Sequence, residues 1–189
     1  MQELETYITS YFGIPKDQLI EVVNAFKPVT YSKGEFFCKK DHYCNKLSFV
    51  SSGYFRVSRE SGTKDITQWI SGPGYMLTDL ASLVFEQPAR WNIQALSDAN
   101  TYAISRDDYN NIGKHVPEWN KLEKLFLAKC FMTLEDRVYQ QLSMSAEEKY
   151  DALFEQNKEI FNQVPLQYLA SMMGMSPETL SRIRKNKTS

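Results

Sequence analysis

LASMMGMSPETLSRIRK, residues 169–185, is the stretch on which the reading of this chain turns. It reads as two short helices hinged at Gly174. With Pro165 as the first position of the first helix, Leu166, Leu169, Ala170 and Met173 fall on one inward stripe. A close helix crossing needs a small residue, here Ala170, and a turn residue tolerant of positive φ, here Gly174. Ser176 then stands as the N-cap, with Pro177 at the first helical position and Glu178 in the first turn. The capping box is incomplete, because Thr179 stands where Glu or Gln would close it. Leu180 and Ile183 form the inward stripe of the second helix, while Glu178, Ser181, Arg182 and Lys185 share the outward one.

That outward set has the chemistry of a major-groove reader. Arg182 offers a bidentate pair to a guanine, Glu178 an acceptor for a cytosine amine, and Thr179, Ser181 and Lys185 offer phosphate contacts. The alternative is that Arg182, Arg184, Lys185 and Lys187 only complement a helix C-terminal dipole. Overall charge gives DNA binding no support: 22 basic residues face 23 acidic ones, for a net charge of −1. A DNA-binding face must therefore come from local clustering.

Upstream, PEWNKLEKLFLAKCFMTLEDRVYQQL (residues 117–142) runs about 26 residues without glycine or internal proline, a helix of about 39 Å. It carries two apolar tracks: Trp119, Leu122, Phe126, Cys130 and Thr133, and beside them Leu127, Phe131, Leu134, Val138 and Leu142. A surface helix needs one stripe. Two tracks predict burial on two sides, for instance against the chain's own roll and against a second copy. Leu122, Phe126, Cys130 and Leu134 are the residues expected at that dimer contact. A helix sandwiched within one monomer is the alternative. Residues 143–189 read as further helices, broken around NKEIFNQVP.

The period is different before residue 107. The first thirty residues read as helical, with Pro15 suited to a first turn and Leu19, Val22, Val23 and Phe26 recurring up to Lys27-Pro28, where a helix must end. From Thr30 come short runs, EFFC, KLSFV, YFRVS, DITQWI, WNIQAL and NTYAIS, punctuated by Gly34, Gly53, Gly62, Gly72 and Gly74. Such spacing predicts an antiparallel roll or barrel. In YFRVS, Phe55 and Val57 alternate with Tyr54, Arg56 and Ser58 as in a half-buried strand, and ESGTKD reads as a hairpin turn.

Hydrophobic residues make up 42% and aromatics 13%, enough for a packed core. No apolar run approaches the ~20 residues of a membrane span, and MQELETYITSYF lacks the basic-then-apolar pattern of a signal peptide, so a cytoplasmic protein without a membrane partner is expected. Cys38, Cys44 and Cys130 match no common metal or redox spacing and read as packed thiols.

An N-terminal roll, a long helix and a terminal helix-turn-helix, in that order, resemble the cAMP receptor protein and fumarate–nitrate regulator (Crp/Fnr) family of bacterial transcription factors. YSKGEFFCKKD (residues 31–41) resembles the first roll hairpin, and residues 46–76 resemble the central strands. VPLQYLASMMGMSPETLSRIRK (residues 164–185) is similar to the form common in the family's Bacteroidetes-type branch. The resemblance implies an α+β chain in three segments: an antiparallel, cyclic-nucleotide-binding-domain-like jelly roll with N-terminal helices (residues 1–116), a dimerisation helix (117–142) and a winged-helix-like helix-turn-helix unit (143–189). It further implies a homodimer bound to double-stranded DNA at a roughly palindromic site, with RNA polymerase as a candidate partner. By position, Glu178 and Arg182 match the family's base-reading residues, and Gln167, Ser176, Thr179 and Ser181 its phosphate contacts. Pro177 departs from the arginine of the cAMP-responsive members.

The cAMP-binding members carry a glycine followed by glutamate and, about ten residues on, an arginine followed by serine or threonine. In GYMLTDLASLVFEQPARWNIQAL, Tyr75 stands at the glutamate position, Ala89 at the arginine position and Arg90 at the serine position. A shift of one residue returns Arg90 to the phosphate but puts Trp91 in place of the small hydroxyl residue. Losing the fixed cation removes a charge-assisted bidentate pair. The roll is therefore not expected to use cAMP or cGMP, and Arg90 reads more simply as a solvated surface arginine. Tyr75, Ala89, Arg90 and Trp91 remain the candidates for lining a pocket for some other effector. No cofactor and no metal are expected: an iron–sulfur centre needs about four cysteines, and His42 and His115 are isolated. An enzyme is not expected either, since a cupin-like metal site needs converging histidines. A protein-interaction module with a vestigial helix-turn-helix is the remaining alternative.

Overall fold

The computed structural model describes residues 2–187; Met1, Thr188 and Ser189, at the outer ends of the expected first and third segments, lie outside the described residues. The chain opens with α1 (Gln2–Phe12) and α2 (Lys16–Ala25), which leave one another at Gly13, where φ is +66°. The second helix stops short of the expected Lys27-Pro28 boundary. Pro28 lies inside β1 (Lys27–Tyr31), an edge strand in which a missing N–H costs no ladder bond.

Seven strands follow, β2 (Phe36–Cys38), β3 (Lys46–Ser52), β4 (Phe55–Ser61), β5 (Lys64–Ser71), β6 (Met76–Leu77), β7 (Asn92–Ala95) and β8 (Ala99–Ser105). They form two antiparallel sheets, ordered β1-β8-β3-β6 and β2-β7-β4-β5, packed face to face. Each of the six quoted runs coincides in whole or in part with a strand. Ser61 pairs with Lys64 across the turn at Gly62. Gly53 is required between β3 and β4: at φ +82°, an added Cβ would sit 2.6 Å from the Asp98 carbonyl oxygen and from the Ala99 methyl group. A short helix, α3 (Leu80–Phe85), interrupts the roll and was not legible in the sequence. Asp79 caps it by accepting from Ser82 N–H.

After α4 (Arg106–Asn111), the long helix α5 spans Trp119–Ser143, close to its expected bounds. Its first half is anchored at home. Trp119, Leu122 and Phe126 are buried against Leu4, Ile8 and Phe12 of α1 and against Phe49 of β3, with the Phe12 and Phe126 rings 4.6 Å apart. Burying a phenylalanine this completely is worth about 2–3 kcal/mol. Leu122 and Phe126 are thus corrected from the dimer contact to the chain's own core, and Cys130 lies half-buried at that core's edge. The reason is that α1 folds back across the roll, which the sequence pattern did not anticipate.

Four helices complete the chain: α6 (Ala146–Gln156), α7 (Ile160–Gln163), α8 (Leu166–Met172) and α9 (Pro177–Lys187). No strand follows α5 among the described residues, so the expected winged form is corrected to an all-helical unit. Its core of Leu169, Ala170, Leu180 and Ile183 is completed by Tyr54 and Ile70 of the roll. This docking also corrects the half-buried reading of β4. Arg56 is only 5% exposed, because α8 covers that face of the hairpin. Its guanidinium donates to Asp65 at 2.6 Å and to the Thr67 hydroxyl at 2.8 Å, and its carbon lies 4.0 Å from the centre of the Tyr168 ring. The Thr67 N–H in turn donates to the Ser171 hydroxyl of α8 at 2.9 Å. Asp65→Asn leaves the covered guanidinium without its carboxylate and should destabilise the chain by about 1–3 kcal/mol in urea unfolding. A loss below ~0.3 kcal/mol would show that the half-exposed Asp65 contributes nothing.

Candidate functional site

The helical corner is built as its sequence requires. Leu169 and Ala170 are fully buried where α8 meets α9, and Gly174 takes φ +70° at the turn. The Ser176 hydroxyl accepts from Thr179 N–H at 3.2 Å, which makes it the expected N-cap, and Pro177 opens α9. A hydrogen bond from the Ser176 side chain, together with one from its own backbone N–H, lowers the pKa of Glu178. The turn is also held from outside. Gln141, near the end of α5, donates to the Met172 carbonyl at 3.1 Å and accepts from Lys149 at 2.9 Å.

Glu178, Ser181, Arg182 and Lys185 are exposed together along one face of α9, opposite the buried Leu180 and Ile183. Gln167 is exposed near the start of α8, and Ser176 at the turn. Thr179 is half-buried, its hydroxyl 3.2 Å from that of Ser176. Of the bases read alternatively as complementing the helix dipole, Lys187 is tied to Asp151 of α6 at 2.7 Å. The exposed face thus offers two cations, one carboxylate and a hydroxyl at helical spacing.

The second half of α5 is exposed on its other track. Leu127, Phe131, Leu134, Val138 and Leu142 range from 39% to 83% exposed, Leu142 being the most open. Among the named dimer residues, Leu134 lies on this open stripe.

In the roll, Tyr75, Arg90 and Trp91 come together on the wall of a cavity of about 470 Å³ that also touches Trp69, Leu134 and Arg137. Ala89 does not join them. It is buried in the roll core, its N–H donating to the His42 carbonyl and its own carbonyl accepting from Asp41. The Arg90 N–H donates to Asp79, which also caps α3, while the Arg90 side chain is exposed. The Tyr75 hydroxyl accepts from Gln156 of α6 at 3.2 Å, its ring lies 5.7 Å from Trp69, and burial raises its pKa. Two residues of this region were not singled out from the sequence. Trp69 looked like one more strand residue. Arg137 looked like the polar side of a helix, and only its packing against Trp69 shows otherwise.

Cys38 and Cys44 are buried neighbours, and the hydrogen bond between their thiols lowers the pKa of Cys44 and raises that of Cys38. Among the described residues, no group of three or more His, Cys, Asp or Glu side chains is placed to hold a metal ion, and no helix is long and apolar enough to cross a membrane.

Residues 28–115 match the family model of the cyclic nucleotide-binding domain. Three solved structures share the fold beyond that segment. The catabolite activator protein of Thermus thermophilus is 21% identical, with a TM-score of 0.58 over 94% of this chain and 85% of that one. FixK2 of Bradyrhizobium japonicum is 16% identical, with a TM-score of 0.70 over 85% of this chain and 83% of that one. The c-di-GMP-responsive global regulator CLP of Xanthomonas campestris is 15% identical, with a TM-score of 0.67 over 92% of each chain. No curated protein matches the sequence. The chain thus carries a cyclic nucleotide-binding-domain roll at residues 28–115, followed by a long helix and a helical C-terminal unit, a fold it shares with these three structures.

Gly174→Ala places a Cβ 3.2 Å from the Gln141 side-chain oxygen in a left-handed backbone. It should cost about 1–2 kcal/mol of stability by chemical denaturation. An unchanged midpoint would show that the turn relaxes freely.

Proposed function

We propose that this chain is a homodimeric, sequence-specific DNA-binding transcription regulator of the Crp/Fnr type, cytoplasmic and not an enzyme. Its three working parts are the roll (residues 1–116), a dimerisation helix (117–142) and a helix-turn-helix unit (143–189). The observation that carries the reading is the exposed face of α9, where Glu178, Ser181, Arg182 and Lys185 stand outward from a capped helix whose opposite side is fully buried. α9 is the recognition helix. Arg182 and Glu178 read base edges, while Gln167, Ser176, Thr179, Ser181 and Lys185 hold phosphates. The likeness to an activator protein and a global regulator supports the same reading, and the wording of residues 164–185 supports the Bacteroidetes-type branch.

The exposed apolar stripe of α5, centred on Phe131, Leu134 and Val138, pairs with the same stripe of a second copy. Pairing sets two recognition helices about 34 Å apart, the repeat of successive major grooves, so the operator is roughly palindromic. RNA polymerase is the natural further partner on DNA. The roll works without cAMP or cGMP: Tyr75 spends its hydroxyl on α6, and Ala89 faces the core. An effector of another kind acts by shifting the relative angle of the two helical units.

A selection from random duplex DNA at about 150 mM salt tests this reading, run with and without cAMP. An enriched palindrome in both arms supports it, enrichment only with cAMP overturns the cAMP-independent part, and no enrichment in either arm overturns DNA reading. On the enriched site, Arg182→Ala should lose about 1–3 kcal/mol and relax specificity at one base pair, and equal losses on all sequences would show a phosphate contact instead. Lys185→Ala should weaken all sequences alike and flatten the salt slope by about one unit. Leu134→Glu should convert dimer to monomer in sedimentation equilibrium, and a persisting dimer would place the interface elsewhere.

A further inference from the structure

Arg137 is a cation without an anion. It rises from α5 into the space between the helix and the roll, with its guanidinium carbon 3.9 Å from the centre of the Trp69 ring. One of its N–H groups donates to the Gln68 carbonyl at 2.6 Å. Among the described residues, no carboxylate lies within ion-pairing distance of it, although Asp136 is its neighbour in sequence and the chain holds 23 acids. Burial lowers its pKa to about 10, so it remains charged near neutrality.

A guanidinium has five N–H donors, and hydrogen bonds from a partly desolvated cation to an anion are among the strongest available to a protein. Stacking on an indole offsets part of the desolvation and leaves the edge of the guanidinium available. That side chain lines the cavity of about 470 Å³, within the range of small-molecule sites. Trp69, Tyr75 and Trp91 share its wall, and Arg90 adds a second cation. Asp79, the carboxylate on that wall, is committed to backbone N–H groups at Ser82 and Arg90. The chemistry on offer is flat apolar surface beside positive charge.

We propose that this cavity binds a small aromatic oxyanion whose acid group pairs with Arg137 of the long helix and whose ring lies along Trp69, Tyr75 and Trp91. The anchor then comes from the helix and not from the loop after α3, which carries the family's phosphate site and here has Ala89 turned into the core. Arg137 also lines the cleft between α5 and α6 with Gln141 and Met172, so a ligand drawing on it acts one helical turn from the contact that holds the corner. This rests on the reading proposed above and names the class of the effector that acts there.

The test is a fluorescence titration of the full chain, without DNA, with 8-anilinonaphthalene-1-sulfonate and, in parallel, the uncharged N-phenyl-1-naphthylamine. Because DNA is absent, failure here leaves the operator reading standing. Arg137→Met should weaken the sulfonate about tenfold or more, with the uncharged amine unchanged, and Arg137→Lys should fall between. Arg90→Met should weaken the sulfonate less than Arg137→Met. Equal loss of both probes in Arg137→Met, an unchanged sulfonate affinity, or greater dependence on Arg90 would each overturn the proposal. Should Arg137→Met fail to fold, the Arg137 side-chain N–H resonance of the wild-type chain decides. It should shift on adding the sulfonate and stay in place on adding the amine, and the reverse result would overturn the assignment.

Discussion

The buried guanidinium of Arg56 is the constraint around which the two halves of the chain are arranged. A charge this covered needs a carboxylate, hydrogen-bond acceptors and a flat surface, and it finds Asp65 and Thr67 on its own hairpin and Tyr168 on α8. Two contacts of this cluster cross to the helical unit, the Tyr168 ring over the guanidinium and the Thr67 N–H bond to Ser171, and both require that unit to be seated on β4 and β5. The apolar contacts around it, Tyr54 and Ile70 against Leu169 and Leu180, are less directional. Hydrophobic burial holds the unit to the roll, and the Arg56 cluster sets its angle.

The long helix is divided between two duties along its length. Its start contributes Trp119, Leu122 and Phe126 to the core under α1, which fixes its direction relative to the roll. Beyond Cys130 the helix leaves the core under α1, and it carries an exposed apolar stripe through Leu134 and Val138 beside Arg137, which stacks on Trp69 of the roll. Gln141 then reaches the turn between α8 and α9. One rigid element therefore touches the roll cavity, the proposed dimer face and the base of the proposed recognition helix.

Much of this was legible in the residues themselves. The glycine-punctuated runs gave strands at the expected places, because alternation and tight turns are local demands. The corner was legible for the same reason: Ala170, Gly174, Ser176 and Pro177 each meet a requirement set within a few residues of itself. Placing Leu122 and Phe126 at a dimer contact failed because helical spacing shows that a face is apolar and not what covers it. Arg56 was read as one side of a half-buried strand because its cover, α8, lies more than a hundred residues away. α3 is too short for periodicity to declare it.

By itself, the sequence determined the type of the main elements, the order of roll, long helix and helical corner, and the set of side chains on the outer face of α9. These follow from backbone preferences and from spacing along a single element. Only the tertiary structure decided which apolar track of α5 is spent inside the chain, that Ala89 turns away from the cavity while Arg137 enters its wall, and that the corner is seated on the hairpin around Arg56. Those outcomes depend on which distant surfaces meet, and burial and charge pairing are properties of the meeting and not of the residue.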